Sequence, residues 1–189
     1  MTLHYNEKSK TTHSPEGVDI YVPNFGDTYS VENLDPTSNN SIASYFKEIS
    51  DFLVNELGYI RNETLFAAPY DFRKAPSRNY FFQYFWLKVH AEISSLNYYK
   101  LIFLDEHDKF FADLKVLVEK AYEINGGAQV TIVGHSMGGR MSLIFLQMQT
   151  QEWKDKYIKS FISLATPWGG SFKSVKALIY GDDFGLGGE

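Results

Sequence analysis

The stretch that most constrains this chain is a strand, a glycine-rich turn and a helix with nothing between them. Gln129 to Val133 is a short run of mostly apolar, β-branched residues. Its unbroken apolar character suits a strand buried on both faces, as in a parallel sheet. Gly134-His135-Ser136-Met137-Gly138 follows at once and matches G-x-S-x-G. From Gly138 to about Gln149, Met141, Ile144, Phe145 and Met148 repeat at helical spacing. A bare G-x-S-x-G recurs by chance because glycine and serine are common. A strand directly before it and an amphipathic helix directly after it are the setting in which it becomes a nucleophile elbow.

The chemistry explains the spacing. The serine sits on a tight strand-to-helix turn in a strained backbone conformation. Bulky residues two positions to either side would collide with the strand and helix that pack there. The turn lifts the hydroxyl out of the sheet and places the helix N-terminus beneath it, where backbone N–H groups point at a developing oxyanion. Ser136 is therefore the expected nucleophile, and the backbone amide of Met137 the expected oxyanion donor. The competing reading makes Ser136 a turn residue only.

The rest of the chain reads as an α/β layered fold in one domain. Helices are expected at 44–57, 108–124 and 138–149. In the first, Tyr45, Phe46, Ile49, Phe52, Leu53 and Leu57 mark an apolar stripe ahead of a C′ residue, Gly58. In the second, Phe110, Leu114, Leu117, Val118 and Ala121 share a face ahead of Asn125-Gly126-Gly127. Strands are expected at 18–22, 65–70, 129–133 and 161–165, the last three mostly parallel. Residues 1–17 are polar and expected to form a disordered tail, leaving 18–189 as the structured part. The stretch from about 77 to 104 is anomalous, with Asn79-Tyr80-Phe81-Phe82-Gln83-Tyr84-Phe85-Trp86-Leu87 and Tyr98-Tyr99-Lys100-Leu101-Ile102-Phe103-Leu104. It reads either as a membrane-facing aromatic insertion or, preferably, as a translated intron or a gene-model error.

A serine nucleophile needs a base, usually histidine, and an acid to orient it. In α/β hydrolases these follow the serine in the chain. All five histidines here, His4, His13, His90, His107 and His135, precede Ser136 or adjoin it. His135 is next to the serine, but neighbours on so sharp a turn point apart. His107, in Asp105-Glu106-His107-Asp108, reads as a solvated helix start rather than a metal ligand, because consecutive residues do not converge on one ion. No metal and no cofactor is expected. The chain has no cysteine, which excludes a disulfide framework and a thiolate metal site. A formal net charge of -5 without a long basic run gives no electrostatic footprint for nucleic acid. The N-terminal residues are too polar for a signal peptide, and no run approaches the roughly 18 apolar residues of a membrane span. Asn39-Asn40-Ser41 and Asn62-Glu63-Thr64 fit the glycosylation pattern, which is short enough to recur by chance.

Several separated segments resemble one family in order. They are Val22-Pro23-Asn24-Phe25-Gly26, Pro69-Tyr70-Asp71-Phe72-Arg73, Gly134-His135-Ser136-Met137-Gly138-Gly139, Trp153-Lys154-Asp155-Lys156-Tyr157-Ile158 and Leu164-Ala165-Thr166-Pro167-Trp168-Gly169-Gly170. Together they look like the lecithin–cholesterol acyltransferase family, nearer its lysosomal phospholipase A branch, over most of residues 17–183. The resemblance implies a partial α/β-hydrolase fold with a mostly parallel sheet flanked by helices, and a fatty acyl chain passed from a phospholipid to Ser136, then to water or a lipid alcohol. It implies Met137 as an oxyanion amide, contact with a membrane or lipoprotein surface, and a lysosomal or extracellular location. The family's catalytic Asp and His and its other oxyanion contact have no counterparts among these residues, and Asn24 stands where the family has glycine. The chain is therefore expected to be truncated at both ends and inactive alone. The alternatives are a non-catalytic fragment that binds lipid or a partner, and an unrelated serine esterase using another base.

Overall fold

Two parallel strands, with helices laid over one face of them, carry the core. The computed structural model describes residues 3–9, 11–34, 44–74 and 107–181. In chain order the elements are β1 (His4–Asn6), β2 (Thr11–His13), α1 (Tyr29–Glu32), α2 (Lys47–Leu57), α3 (Asp108–Ile124), β3 (Val130–His135), α4 (Met137–Met148), α5 (Gln151–Tyr157), β4 (Ile158–Leu164) and α6 (Phe172–Tyr180). Helix and sheet are mixed. β3 and β4 run parallel, from Val130 opposite Ile158 to His135 opposite Leu164, and Lys159 is an extra residue at the start of the ladder. Parallel neighbours require a crossover, and α4 with α5 supplies it.

Why these residues form these elements follows from the buried faces. α3 buries Phe111, Leu114, Val118 and Ala121. The stripe therefore centres one residue beyond Phe110, which is only partly covered. α4 buries Met141 and Phe145, and these five large side chains, Phe111, Leu114, Val118, Met141 and Phe145, form the core cluster. Val130 and Ile132 of β3 pack against it. Phe145 is fully buried, and burial of such a side chain contributes about 1.5–3 kcal/mol. Trp153 of α5 stacks edge-on against Phe145 at 5.6 Å, and its indole N–H donates to Glu119 of α3. α5 starts at a Thr150 cap whose hydroxyl accepts from the Trp153 amide.

Several expectations are corrected. β3 is not covered on both faces: Val133 is 44% exposed and Ile162 of β4 is 46% exposed, because among the described residues the helices occupy one side. Among the described residues β4 pairs with β3 alone, so its outer edge is open. Residues 18–22 form no ladder. Residues 65–70 make only isolated bridges, Leu65 to Arg61 and Ala67 antiparallel to Gly26. A longer pairing beside Gly26 is blocked by Pro69, which has no N–H to give, and by left-handed backbone at Asn24 (φ 50). That conformation suits glycine first and asparagine next. The stripe on α2 is largely uncovered, with Ile49, Phe52 and Leu57 exposed and Ser50 its buried residue. Gly58 does close that helix in the left-handed conformation, its N–H donating to the Leu53 carbonyl. Within 1–17, where a loose tail is expected, β1 and β2 form an antiparallel hairpin.

The helices α1, α5 and α6 are additional to those expected. Asn39 and the aromatic stretch 77–104 lie outside the described residues, while the Asn62 amide donates to Asp27 at 2.9 Å. Among the described residues no helix is long and apolar enough to cross a membrane.

Candidate active site

Ser136 occupies the one-residue turn between β3 and α4, at φ 52 and ψ -123. Non-glycine residues rarely adopt a positive φ, and holding one there costs on the order of 1–3 kcal/mol. The surrounding hydrogen bonds hold the turn. The Ser136 N–H donates to the Leu164 carbonyl at 2.9 Å, one step beyond the β3–β4 ladder, and the Gly139 N–H donates to the Ser136 carbonyl at 3.2 Å. Met137 is the first residue of α4. Its amide is therefore among the N–H groups that no helical carbonyl can satisfy.

The glycines around the turn differ in what they permit. A Cβ built on Gly134 would stand 2.8 Å from both Cα and N of Gly139 and 2.9 Å from the Gly138 carbonyl carbon. One on Gly139 would meet the Thr166 Oγ1 at 1.9 Å, whereas one on Gly138 finds only the Tyr70 hydroxyl, at 3.9 Å. The tight helical position is thus Gly139, not Gly138 as the five-residue motif suggests. Thr166, just past β4, presses into the gap that Gly139 leaves. Its hydroxyl is buried with no partner among the described residues.

Two tyrosines from distant segments close around the turn. The Tyr45 hydroxyl is hydrogen-bonded to Nδ1 of His135, and the two rings meet edge-on at 5.3 Å. Tyr70 packs against Phe110 at 5.3 Å and His107 at 5.8 Å. Burial, and secondarily the Tyr45 hydroxyl, push the Tyr70 phenol up to about 12, so it remains a neutral donor at any working pH. Neither tyrosine belongs to a local motif with Ser136, and no sequence spacing points to them.

Ser136 has no hydrogen bond to a side chain among the described residues. His135 faces Tyr45, as expected of a neighbour on a sharp turn. His107 corrects the reading of a solvated helix start: it is 3% exposed, and its Nε2 meets the Lys74 carbonyl at 3.2 Å. His4 and His13 stack on each other in the hairpin, and His90 lies outside the described residues.

Beside Tyr70, Arg73 forks onto Asp71, with Nε donating to Oδ1 at 2.8 Å and Nη2 to Oδ2 at 2.7 Å. The Arg73 side chain is 7% exposed and that of Asp71 17%. The guanidinium hydrogen bond holds the Asp71 carboxyl below its ordinary 3.8. A carboxyl lowered on folding contributes stability above its unfolded value, and that contribution is lost as pH falls through the folded value. Asp71→Asn is therefore expected to melt below the parent near pH 7, with the gap shrinking below about pH 4. Thermal melts across that range check it; an unchanging gap would mean that the pair's charge contributes nothing.

The sequence profile of the lecithin:cholesterol acyltransferase family matches residues 1–187. The chain belongs to that family. The match includes the N-terminal residues that the motifs alone leave out. The chain is 40% identical over 183 residues to the lysosomal phospholipase A and acyltransferase of Homo sapiens, covering 97% of this chain and 37% of that protein. The Mus musculus protein of the same description is also 40% identical over 183 residues, with the same coverage of each chain. The phosphatidylcholine-sterol acyltransferase of Gallus gallus is 37% identical over 182 residues, or 96% of this chain and 36% of that protein. The chain thus spans little more than a third of the length of these acyltransferase relatives.

Proposed function

We propose that these residues are the nucleophile-bearing part of an α/β-hydrolase that moves fatty acyl groups from glycerophospholipids. The observation that carries the reading is Ser136 itself, a non-glycine residue at φ 52 between a parallel strand and a helix. Holding a non-glycine residue in such a conformation is costly, and strain of this kind clusters at active sites. Family membership supports the lipid substrate, since the relatives are phospholipase and sterol acyltransferases by description.

In this reading the Ser136 Oγ attacks the ester carbonyl carbon while a base takes its proton. The carbonyl oxygen becomes an oxyanion facing the Met137 amide, where a preorganised donor acts without reorganisation. Collapse expels the lysophospholipid oxygen, which takes a proton from the base, and leaves an acyl-serine. Water or a lipid alcohol then attacks the acyl carbon and restores the hydroxyl. Among the described residues His135 is turned to Tyr45 and His107 to the Lys74 carbonyl, so in this reading neither serves as that base and the 189-residue chain alone is inactive. The protein works at a membrane or lipoprotein surface, in a lysosomal or extracellular setting.

The test is substrate class. A form of the protein with its full natural length should release fatty acid from phosphatidylcholine vesicles and transfer it to an added long-chain alcohol. Cleavage of soluble short-chain esters with no action on vesicles would reverse the reading in favour of an ordinary esterase.

A further inference from the structure

The His135 imidazole is not the base, and its surroundings give it another task. The segment that reaches it is tied down before α2 begins. The Tyr45 N–H donates to the Glu32 carbonyl at 2.8 Å and the Phe46 N–H to the Val31 carbonyl at 3.1 Å. Both rings lie against the imidazole, Tyr45 at 5.3 Å and Phe46 at 6.1 Å, and they meet each other edge-on at 5.1 Å. The Tyr45 hydroxyl is in addition hydrogen-bonded to Nδ1.

This matters because His135 and Ser136 share a peptide plane. Ser136 holds its unusual φ with one backbone hydrogen bond on the strand side, to Leu164. Successive side chains on a strand point to opposite faces, so the imidazole is a handle on the far side of the plane from which the serine turns. Fixing that handle limits rotation of the plane, and a small misplacement of a nucleophile costs much of its rate.

We propose that Tyr45 is a positioning residue for Ser136, acting through His135: its hydroxyl pins the imidazole, and the pinned imidazole sets the peptide plane on which the nucleophile is aimed. The proposal rests on Ser136 being the nucleophile. The proposal takes the Tyr45 hydroxyl as donor and Nδ1 of a neutral imidazole as acceptor, which puts the ring proton on Nε2. Burial raises the Tyr45 phenol above its ordinary range, which keeps that donor protonated. The same bond occupies the Nδ1 lone pair and so withholds it from proton transfer.

Two measurements test this. Imidazole ¹⁵N NMR of the 189-residue chain should show the neutral His135 ring as the Nε2–H tautomer, with Tyr45→Phe giving a mixture and shifting the Ser136 and Met137 amide signals. In a phospholipid-cleaving form of the protein, Tyr45→Phe should lower kcat about tenfold with KM unchanged. Repeated in a His135→Ala background, the same substitution should have no further effect. An imidazole spectrum indifferent to Tyr45→Phe would overturn the proposal. So would an equal loss in both backgrounds, which would assign Tyr45 a packing role alone. If Ser136→Ala retains turnover, the nucleophile reading fails and the positioning role goes with it, while the imidazole spectrum still decides whether the tyrosine holds the ring.

Discussion

The isolated 189-residue chain is expected to react with a fluorophosphonate probe on the order of 10⁶-fold more slowly than a relative with a complete triad. The argument is the fate of one proton. The Ser136 hydroxyl is a weak nucleophile at neutral pH unless a neighbouring base accepts its proton as the bond forms. Of the described histidines, His4 and His13 face each other in the hairpin, His135 is turned to Tyr45 and His107 is buried against the Lys74 carbonyl, so none is set to do this. The Met137 amide remains, and an oxyanion donor with substrate binding sustains a residue of catalysis roughly 10³–10⁴-fold over water. That is far below a working enzyme but measurable in long incubations. Gel fluorescence after labelling gives the rate, with Ser136→Ala as the blank and full-length relatives as the reference. Fast labelling of the isolated chain that disappears in Ser136→Ala would show that a base is already present among these residues, and the proposal of inactivity would be withdrawn.

The second large effect concerns the glycines, and it separates three residues that look alike. Gly134→Ala is expected to be the most damaging. Its methyl group meets only backbone, at 2.8–2.9 Å on the Gly138–Gly139 segment, so strand and helix must move apart. Such overpacking costs typically 1–3 kcal/mol and occasionally more; here, with no side chain able to yield, about 3 kcal/mol or above is expected, together with loss of the Ser136 geometry. Gly139→Ala meets a side chain, Thr166, which can be shortened. Adding Thr166→Ala should therefore return much of the stability lost in Gly139→Ala while doing nothing for Gly134→Ala. Gly138→Ala has 3.9 Å of clearance and lies within α4, where alanine outperforms glycine by roughly 0.5–1 kcal/mol; it should be neutral or stabilising. Chemical denaturation of the five variants ranks them. A Gly138→Ala loss as large as that of Gly134→Ala would mean that the crowding around the elbow is differently arranged.

How much of this was legible beforehand depended on the range of the interaction concerned. α3 matches its expected span, because Phe111, Leu114, Val118 and Ala121 recur at helical intervals and Asn125-Gly126-Gly127 ends the run. β3, α4 and β4 stand close to where periodicity puts them. Each of these signals is local. The failures are partner-dependent. Residues 18–22 and 65–70 have the composition of strands, but a strand exists only if another offers a ladder, and beside Gly26 the backbone of Asn24 and the missing donor of Pro69 stop one from growing. The stripe on α2 has the period of a buried helix face, yet period does not say what will cover it. His107 sits in an acidic run that reads as solvent-facing; Tyr70, Phe110 and Phe111 gather round its ring instead.

The candidate site divides in the same way. Ser136 and Met137 are contiguous, and their geometry follows from a strand running straight into a helix, so the sequence by itself determined the elbow, its strained serine and its helix N-terminus. Only the tertiary structure decided that Tyr45, ninety residues away, would hold His135, that Thr166 would fill the space beside Gly139, and that Gly139 rather than Gly138 would be the crowded glycine. Those contacts join elements whose relative placement is set by packing on the Phe111–Phe145 core, and packing across a core leaves no periodic mark in the chain that makes it.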